Sequence, residues 1–356
     1  MNITIFIGCL KGGGAEKVAL DLATYLSARH FVTILQVTNL LPDNYVQRKN
    51  ITIKSLDEGI KTKNPFLKRI KKIQSFKTFL KCNSPDIYIG FLPENIEMLL
   101  YYKKFIKCPI VFSERSNPKS YSFFHRLLLK RLSKRASGAV FQTDRACEWY
   151  NLPATVKTTV IPNASKQELI DLRCDFSKNK ICACGRLEKE KGFDFLIKSF
   201  KKFDEVSSKK YDLIIFGEGR TRNQLEELIT KLNLEGRVFM PGYCNDVAAK
   251  MSECCIFVSS SRYEGMSNAL IEAMSIGLSC IATDCEIGGN RFLIKDNQNG
   301  LLIEVDNERQ MVDALLFYDG HLDIAKEYGS RAKAFCKELS KEKIYGAWET
   351  FIKSLV

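Results

Sequence analysis

No stretch of eighteen consecutive apolar residues occurs in the 356 residues, so the sequence offers no membrane-spanning helix. Met1 to Leu10 is apolar but carries no basic residue, and Lys11 with three glycines closes it after about one strand length, which argues for a first strand rather than a signal sequence. Short-period repeats and low-complexity tracts are missing, and Pro 9 with Gly 21 is ordinary usage, which excludes collagen-like and disordered classes. There are 13 cysteines but no C-x-x-C pair, and Cys9, Cys82, Cys182, Cys184, Cys254, Cys255 and Cys280 fall mostly inside apolar runs. Cysteine so placed behaves as a small hydrophobe, so free thiols in a reducing, cytoplasmic compartment are expected.

At 45% hydrophobic and 27% charged, the chain is long and apolar enough for two globular domains. Its net charge of +13 is unevenly spread. Residues 1–165 hold 26 Lys and Arg against 11 Asp and Glu, whereas the remainder holds 28 against 30. A basic half beside a near-neutral one implies an anionic partner for the first, and nucleic acid, an anionic leaflet and phosphorylated substrates all qualify.

Short β-branched and aromatic runs alternate with helix-length segments: Ile3–Ile7, Phe31–Val37, Asp86–Leu92, Pro109–Phe112 and Gly138–Phe141, then Lys180–Cys184, Asp212–Phe216, Arg237–Met240, Cys255–Ser259, Leu278–Ala282 and Leu301–Ile303. They read as buried parallel strands of two doubly wound, Rossmann-like α/β domains, 1–165 and 166–340. The break falls near Ile161-Pro162-Asn163-Ala164, and a ligand is expected in a cleft between the domains.

Gly12-Gly13-Gly14-Ala15-Glu16 follows the first strand and opens a helix reaching about Ser27. Glycines there let backbone N–H groups approach an anion, although a tight strand-to-helix turn explains them equally well. Gly217-Glu218-Gly219 also follows a strand, but Arg222 stands where a dinucleotide loop needs its third glycine. Arg186 and Lys191, in the loop after Lys180–Cys184, suit a pyrophosphate as planar fork and point charge, or else are solvated loop charges. From Ser259 to Met274 a strand end passes through Glu264, Gly265, Met266, Ser267 and Asn268 into a helix on which Glu272 lies two turns beyond Glu264. The amides of Met266 to Asn268 are then expected as uncapped donors.

In that frame, Glu264 and Glu272 separated by seven residues resemble the retaining GT-B glycosyltransferases of family four. The motifs at 12–16, Ser113-Glu114-Arg115-Ser116-Asn117-Pro118, 185–192, 217–219 and Asn299-Gly300-Leu301-Leu302 agree in order over nearly the whole chain. The resemblance implies a GT-B fold of two Rossmann-like domains facing across a cleft, with the last helix, about 341–356, returning to the first. It implies a nucleotide-sugar donor, expected as UDP-hexose or UDP-N-acetylhexosamine, and no cofactor. Glu272 would hold the ribose diol, Glu264 the transferred sugar, and Arg186 and Lys191 the departing diphosphate. Gly13 and Gly14 would meet the donor from the first domain, and Gly217, Gly219 and Phe239 to Tyr243 would flank the nucleotide. No D-x-D sequence supplies a metal site of the other common type.

Many family members carry a histidine after the fourth strand of the first domain. This chain has Ser113-Glu114-Arg115 there, which makes Glu114 and Arg115 candidates for acceptor or sugar contact. Phe292 stands where relatives often have a glutamate. Lys61 to Lys81 holds eight basic residues and no acid among Phe66, Leu67, Ile70, Ile73, Phe76 and Phe79, and Arg126 to Arg135 adds five cations among leucines. Basic and apolar residues at helical spacing suit an anionic leaflet, met by Lys68, Arg69, Lys71 and Lys72, and no nucleic-acid-binding motif accompanies them. The expected acceptor is a polyprenyl-diphosphate-linked glycan of surface-polysaccharide assembly at the cytoplasmic face of the inner membrane. A diacylglycerol or soluble acceptor, or a non-catalytic nucleotide-sugar-binding role, stands as the alternative.

Overall fold

The computed structural model describes residues 1–42 and 45–356 and divides into two compact units, Met1–Asn163 with Glu342–Val356, and Ala164–Lys341. In unit 1 the elements run β1 (Asn2–Ile7), α1 (Gly14–Leu26), β2 (Phe31–Gln36), β3 (Ile51–Ser55), α2 (Pro65–Cys82), β4 (Ile87–Phe91), α3 (Pro93–Tyr101), β5 (Ile110–Ser113), α4 (Phe123–Ser133), β6 (Gly138–Phe141), α5 (Asp144–Tyr150) and β7 (Lys157–Val160). Unit 2 continues with β8 (Lys180–Cys184), α6 (Phe193–Val206), β9 (Asp212–Phe216), α7 (Arg222–Lys231), β10 (Val238–Gly242), α8 (Val247–Met251), β11 (Ile256–Ser259), α9 (Asn268–Ile276), β12 (Ser279–Thr283), α10 (Gly289–Leu293), β13 (Leu301–Ile303), α11 (Glu308–Gly320) and α12 (Leu322–Lys337). The last helix, α13 (Lys341–Lys353), packs with unit 1.

Each unit holds one parallel sheet, ordered β3-β2-β1-β4-β5-β6-β7 and β10-β9-β8-β11-β12-β13. Strands covered on both faces must be apolar throughout, which is why β4 (Ile-Tyr-Ile-Gly-Phe) and β11 (Ile-Phe-Val-Ser) are wholly buried. Sequence reading passed over β3 and β7, and these are the two edges of the first sheet. Their alternating or polar residues (Ile-Thr-Ile-Lys-Ser and Lys-Thr-Thr-Val) lack the continuous apolar run of a central strand.

Local chemistry fixes the helix ends. Asn64 caps α2 by accepting hydrogen bonds from the Phe66 and Leu67 amides at 2.9 and 3.2 Å, with Pro65 at the first helical position. Helix α9 stops at Gly277, whose φ of 96° is left-handed. On α13, Ile344, Tyr345, Trp348, Glu349 and Ile352 form one buried stripe. The Trp348 ring stacks on Phe91 at 6.0 Å, and Glu349 accepts from Arg29 at 3.0 Å and lies 3.1 Å from the His30 ring. All thirteen cysteines are free. No helix of the described residues is long and apolar enough to cross a membrane.

Candidate active site

The strand order of unit 2 reverses between β8 and β11, so the loops leaving these two strands flank a topological switch point at the carboxyl edge of the sheet. Lys191 comes from one loop and Glu264 from the other, and they meet as a direct ion pair between Nζ and Oε2. Both side chains are largely enclosed, and the Ser261 hydroxyl donates to the same carboxylate oxygen at 3.0 Å. The floor beneath is polar and tied down. The Thr283 hydroxyl lies 2.5 Å from the Ser261 carbonyl oxygen, and the Cys285 thiol donates to that oxygen at 3.1 Å. Burial raises the Cys285 thiol to about 12, which makes it a weak donor rather than a nucleophile.

Glycines bring these loops together. Gly192 has φ +65° and sits so close to Ser260 that a Cβ would run into its carbonyl oxygen. Gly217 likewise faces the Gly185 carbonyl, Gly219 the Leu187 carbonyl, and Gly289 the Gly265 carbonyl. Thus Gly217 and Gly219 brace the β8 loop by backbone approach, whatever else they meet. Arg186 reaches into solvent, its side chain 70% exposed and only 3.7 Å from Glu190.

Glu272 lies on α9, and its carboxylate is bound by Lys166 Nζ at 2.8 Å, a partner that sequence spacing gave no sign of. The α9 amino terminus is capped at one amide beyond the three singled out by sequence. Ser267 is its N-cap and accepts from the Leu270 amide at 3.3 Å, so the first turn already has a side-chain cap. Met266 and Ser267 are buried, Asn268 and Gly265 adjoin them, and Tyr243 stands 78% exposed just past β10. Phe292 packs edge-on against Phe335 at 6.1 Å.

In unit 1, Gly13 caps α1 without a side chain and Gly14 is its first residue. The Glu16 carboxylate folds back over Gly13, an arrangement like one arm of a capping box.

Glu114 and Arg115, candidates for acceptor contact by sequence, are enclosed within unit 1. Glu114 Oε1 accepts from the Arg115 and Ser116 amides at 3.0 and 2.9 Å and from the Tyr121 hydroxyl at 3.2 Å, while Tyr150 donates to Oε2. Burial raises its carboxyl pKa against those four donors. Arg115 donates from Nε to Ser113 Oγ at 2.7 Å and from Nη1 to Asn163 Oδ1 at 2.8 Å, with its guanidinium 5.6 and 5.4 Å from the Phe91 and Trp348 rings. Burial lowers it to about 10. In this arrangement both side chains help hold unit 1 together, while Arg115 Nη2 is left buried without a hydrogen-bond partner.

Of the α2 cations, Arg69 and Lys71 are exposed and Lys68 is half-buried, but Lys72 turns inward, donating to Thr38 Oγ1 at 2.7 Å and lying 3.8 Å from Asp57. It is therefore a structural lysine, since residue 72 falls on the side of α2 that faces the body of the unit. The first turns of α4 expose Phe123, Phe124, Leu127 and Leu128, while Leu129 and Leu132 face inward. Among the described residues no group of three or more His, Cys, Asp or Glu is arranged to hold a metal ion.

Residues 170–319 match the family described as glycosyl transferases group 1. Over 98% of its length the chain is 26% identical to the Campylobacter jejuni GalNAc-alpha-(1->4)-GalNAc-alpha-(1->3)-diNAcBac-PP-undecaprenol alpha-1,4-N-acetyl-D-galactosaminyltransferase, 97% of which is covered. It is 28% identical to a second enzyme of that organism, N-acetylgalactosamine-N,N'-diacetylbacillosaminyl-diphospho-undecaprenol 4-alpha-N-acetylgalactosaminyltransferase, over 96% of this chain and 97% of that one. Among solved structures, the Anabaena protein HepE in complex with UDP-glucose superposes with a TM-score of 0.86 at 18% identity over the whole of both chains. The lipopolysaccharide outer core galactosyltransferase WaaB gives 0.75 at 19%, again over both whole chains. The fold is that of the GT-B glycosyltransferases.

Proposed function

We propose, for a chain whose residues 170–319 belong to the glycosyl transferases group 1 family, that it moves a sugar from a UDP-linked donor to a polyprenyl-diphosphate-linked glycan during surface-polysaccharide assembly. The observation that carries this reading is the Lys191–Glu264 pair at the switch point of unit 2, with Arg186 on the same loop and Glu272 on the helix that follows Glu264. The names of the two Campylobacter relatives, with their undecaprenyl-diphosphate acceptors, support the acceptor class, and UDP-glucose in HepE supports the donor class.

In the proposed reaction the bond from the sugar's anomeric carbon to the diphosphate oxygen breaks and a bond to the acceptor hydroxyl oxygen forms on the same face. Entry on that face retains the anomeric configuration, the hydroxyl proton passes to the departing phosphate oxygen, and the proposed charge balance is left to protein cations rather than a metal. Negative charge grows on the diphosphate as it leaves, and fixed cations stabilise charge that develops in the transition state. Lys191 supplies one such cation and Arg186, exposed and only loosely paired with Glu190, a second. Glu264 orients the sugar and holds Lys191 in place until the donor arrives. Glu272 accepts from the ribose hydroxyls, exchanging Lys166 for them in whole or in part, and the loops at Gly217–Gly219 and Gly265–Asn268 and the ring of Tyr243 complete the donor contacts of unit 2.

The lipid tether of such an acceptor calls for a chain that docks on the anionic cytoplasmic leaflet. Support comes from α4, where Phe124 is 80% and Phe123 66% exposed on a helix carrying Arg126, Lys130 and Arg131 and no acid, and from Phe66, Leu67, Arg69 and Lys71 on α2. The test is incubation of the purified chain with a panel of UDP-sugars and detergent-solubilised polyprenyl-diphosphate sugars, followed by mass spectrometry. A mass gain of one sugar from one donor is the expected result; no gain from any pair, with no saturable UDP binding, would overturn the proposal.

A further inference from the structure

Arg262 stands two residues before Glu264 in the loop after β11, and its side chain reaches three loops at once. Nη1 and Nη2 grip both carboxylate oxygens of Asp194, in the first turn of α6, at 2.8 and 3.0 Å. Nε lies 2.9 and 2.8 Å from the two carboxylate oxygens of Asp306, which follows β13 with φ +57°, and Nη1 also donates to the Lys189 carbonyl at 2.9 Å. The Arg262 amide donates to the Glu190 carbonyl at 2.7 Å, and the Ser260 hydroxyl to the Lys191 carbonyl at 2.8 Å. Three successive carbonyls of the turn that carries Lys191 are therefore bonded to the loop that carries Glu264. Burial disfavours the Asp194 carboxylate, yet the Arg262 hydrogen bonds hold its pKa below the ordinary value, so the clamp stays charged at neutral pH.

We propose that Arg262 is a positioning residue, a clamp with Asp194 and Asp306 that fixes the 189–192 turn against the β11 loop and so sets where the Lys191 ammonium meets the departing diphosphate. Four of its five side-chain N–H groups are engaged within the protein, so it acts through Lys191. A lysine in its place offers a single point charge and cannot bridge both carboxylates and a carbonyl in one plane. The inference rests on the reading of Lys191 given above.

The test is a double-mutant cycle on the full chain with UDP-N-acetylgalactosamine as donor probe and a detergent-solubilised polyprenyl-diphosphate sugar as acceptor. Arg262→Gln is expected to lower kcat by roughly ten- to a hundredfold, the scale of an ångström-sized misplacement, with the donor KM within about threefold. In a Lys191→Ala background the same substitution is expected to cost less than about twofold, because the group it positions is gone. Hydrogen exchange of the 188–193 amides should quicken in Arg262→Gln without general loosening of unit 2. Asp194→Asn, which cuts the clamp from its other end and keeps its size, should reproduce the pattern if Arg262→Gln folds poorly. Wild-type turnover in either variant, or a further tenfold loss on top of Lys191→Ala, would overturn the inference. Full activity in Lys191→Ala alone would instead overturn the reading of Lys191 beneath it.

Discussion

Replacing Trp348 with Ala should release the carboxyl-terminal helix from unit 1. The ring is fully buried, stacks on Phe91 at 6.0 Å and lies 5.4 Å from the Arg115 guanidinium, while its Nε1 has no hydrogen-bond partner. Its contribution is thus packing and cation–π attraction, with an unpaired N–H working against it. Truncation of a buried tryptophan costs about 3–5 kcal/mol. At about 2–4 °C per kcal/mol for a unit of this size, the melting temperature should fall by roughly 6–20 °C. Trp348→Phe keeps the stacking, forgoes roughly 1–2 kcal/mol of packing, and removes a buried N–H that costs about 1–3 kcal/mol, so it should stay within about 1 kcal/mol of wild type. Urea denaturation followed by far-ultraviolet circular dichroism measures both. A loss under about 1 kcal/mol in Trp348→Ala, or a Phe variant as unstable as the Ala one, would refute the packing argument.

Hydrogen bonding from Lys353, aided by His30 and the charge of Arg29, holds the Glu349 carboxyl below its ordinary 4.5. Its contribution to stability, partly within α13 and partly to Arg29 and His30, is full above about 4.5 and is lost as pH falls through the lower folded value, so wild type and Glu349→Gln should converge in stability on acidification; a gap equally wide at pH 3 and pH 7 would contradict this. Gly192→Ala places a side chain at φ +65° against the Ser260 carbonyl and should cost about 1–3 kcal/mol by calorimetry as well as turnover, an unchanged melt refuting the close approach. Glu272→Gln removes a charged acceptor from the proposed ribose contact and should weaken UDP binding by about ten- to a hundredfold in titration calorimetry, against which an unaltered Kd would count.

What was legible in the sequence was what repeats on a short scale. Central strands announce themselves as unbroken apolar runs, so β4, β6, β8 and β11 lie nearly to the residue where those runs place them, and the glycines at 12–14 mark the turn from β1 into α1, where Gly12 takes φ +109°. Edge strands β3 and β7 escaped because one face or end of each is polar. Contacts that close over long separations were illegible for a different reason. Lys166 on Glu272, 106 positions apart in numbering, and Arg262 on Asp194 and Asp306 are set by how loops converge at a sheet edge, and no local pattern encodes them. The same limit explains Glu114 and Arg115. Their place after the fourth strand suggested acceptor or sugar contact, and nothing local foretold that Tyr121, Tyr150, Asn163 and the distant Trp348 would enclose them.

The central claim is that the Lys191–Glu264 pair is where the sugar is transferred. Its most direct test is the turnover of Glu264→Gln beside wild type, with UDP affinity and melting temperature measured on the same preparations. A fall in transfer of about a hundredfold or more, with the UDP Kd within about threefold and the fold intact, is the predicted result. Full turnover in a folded Glu264→Gln chain would contradict it.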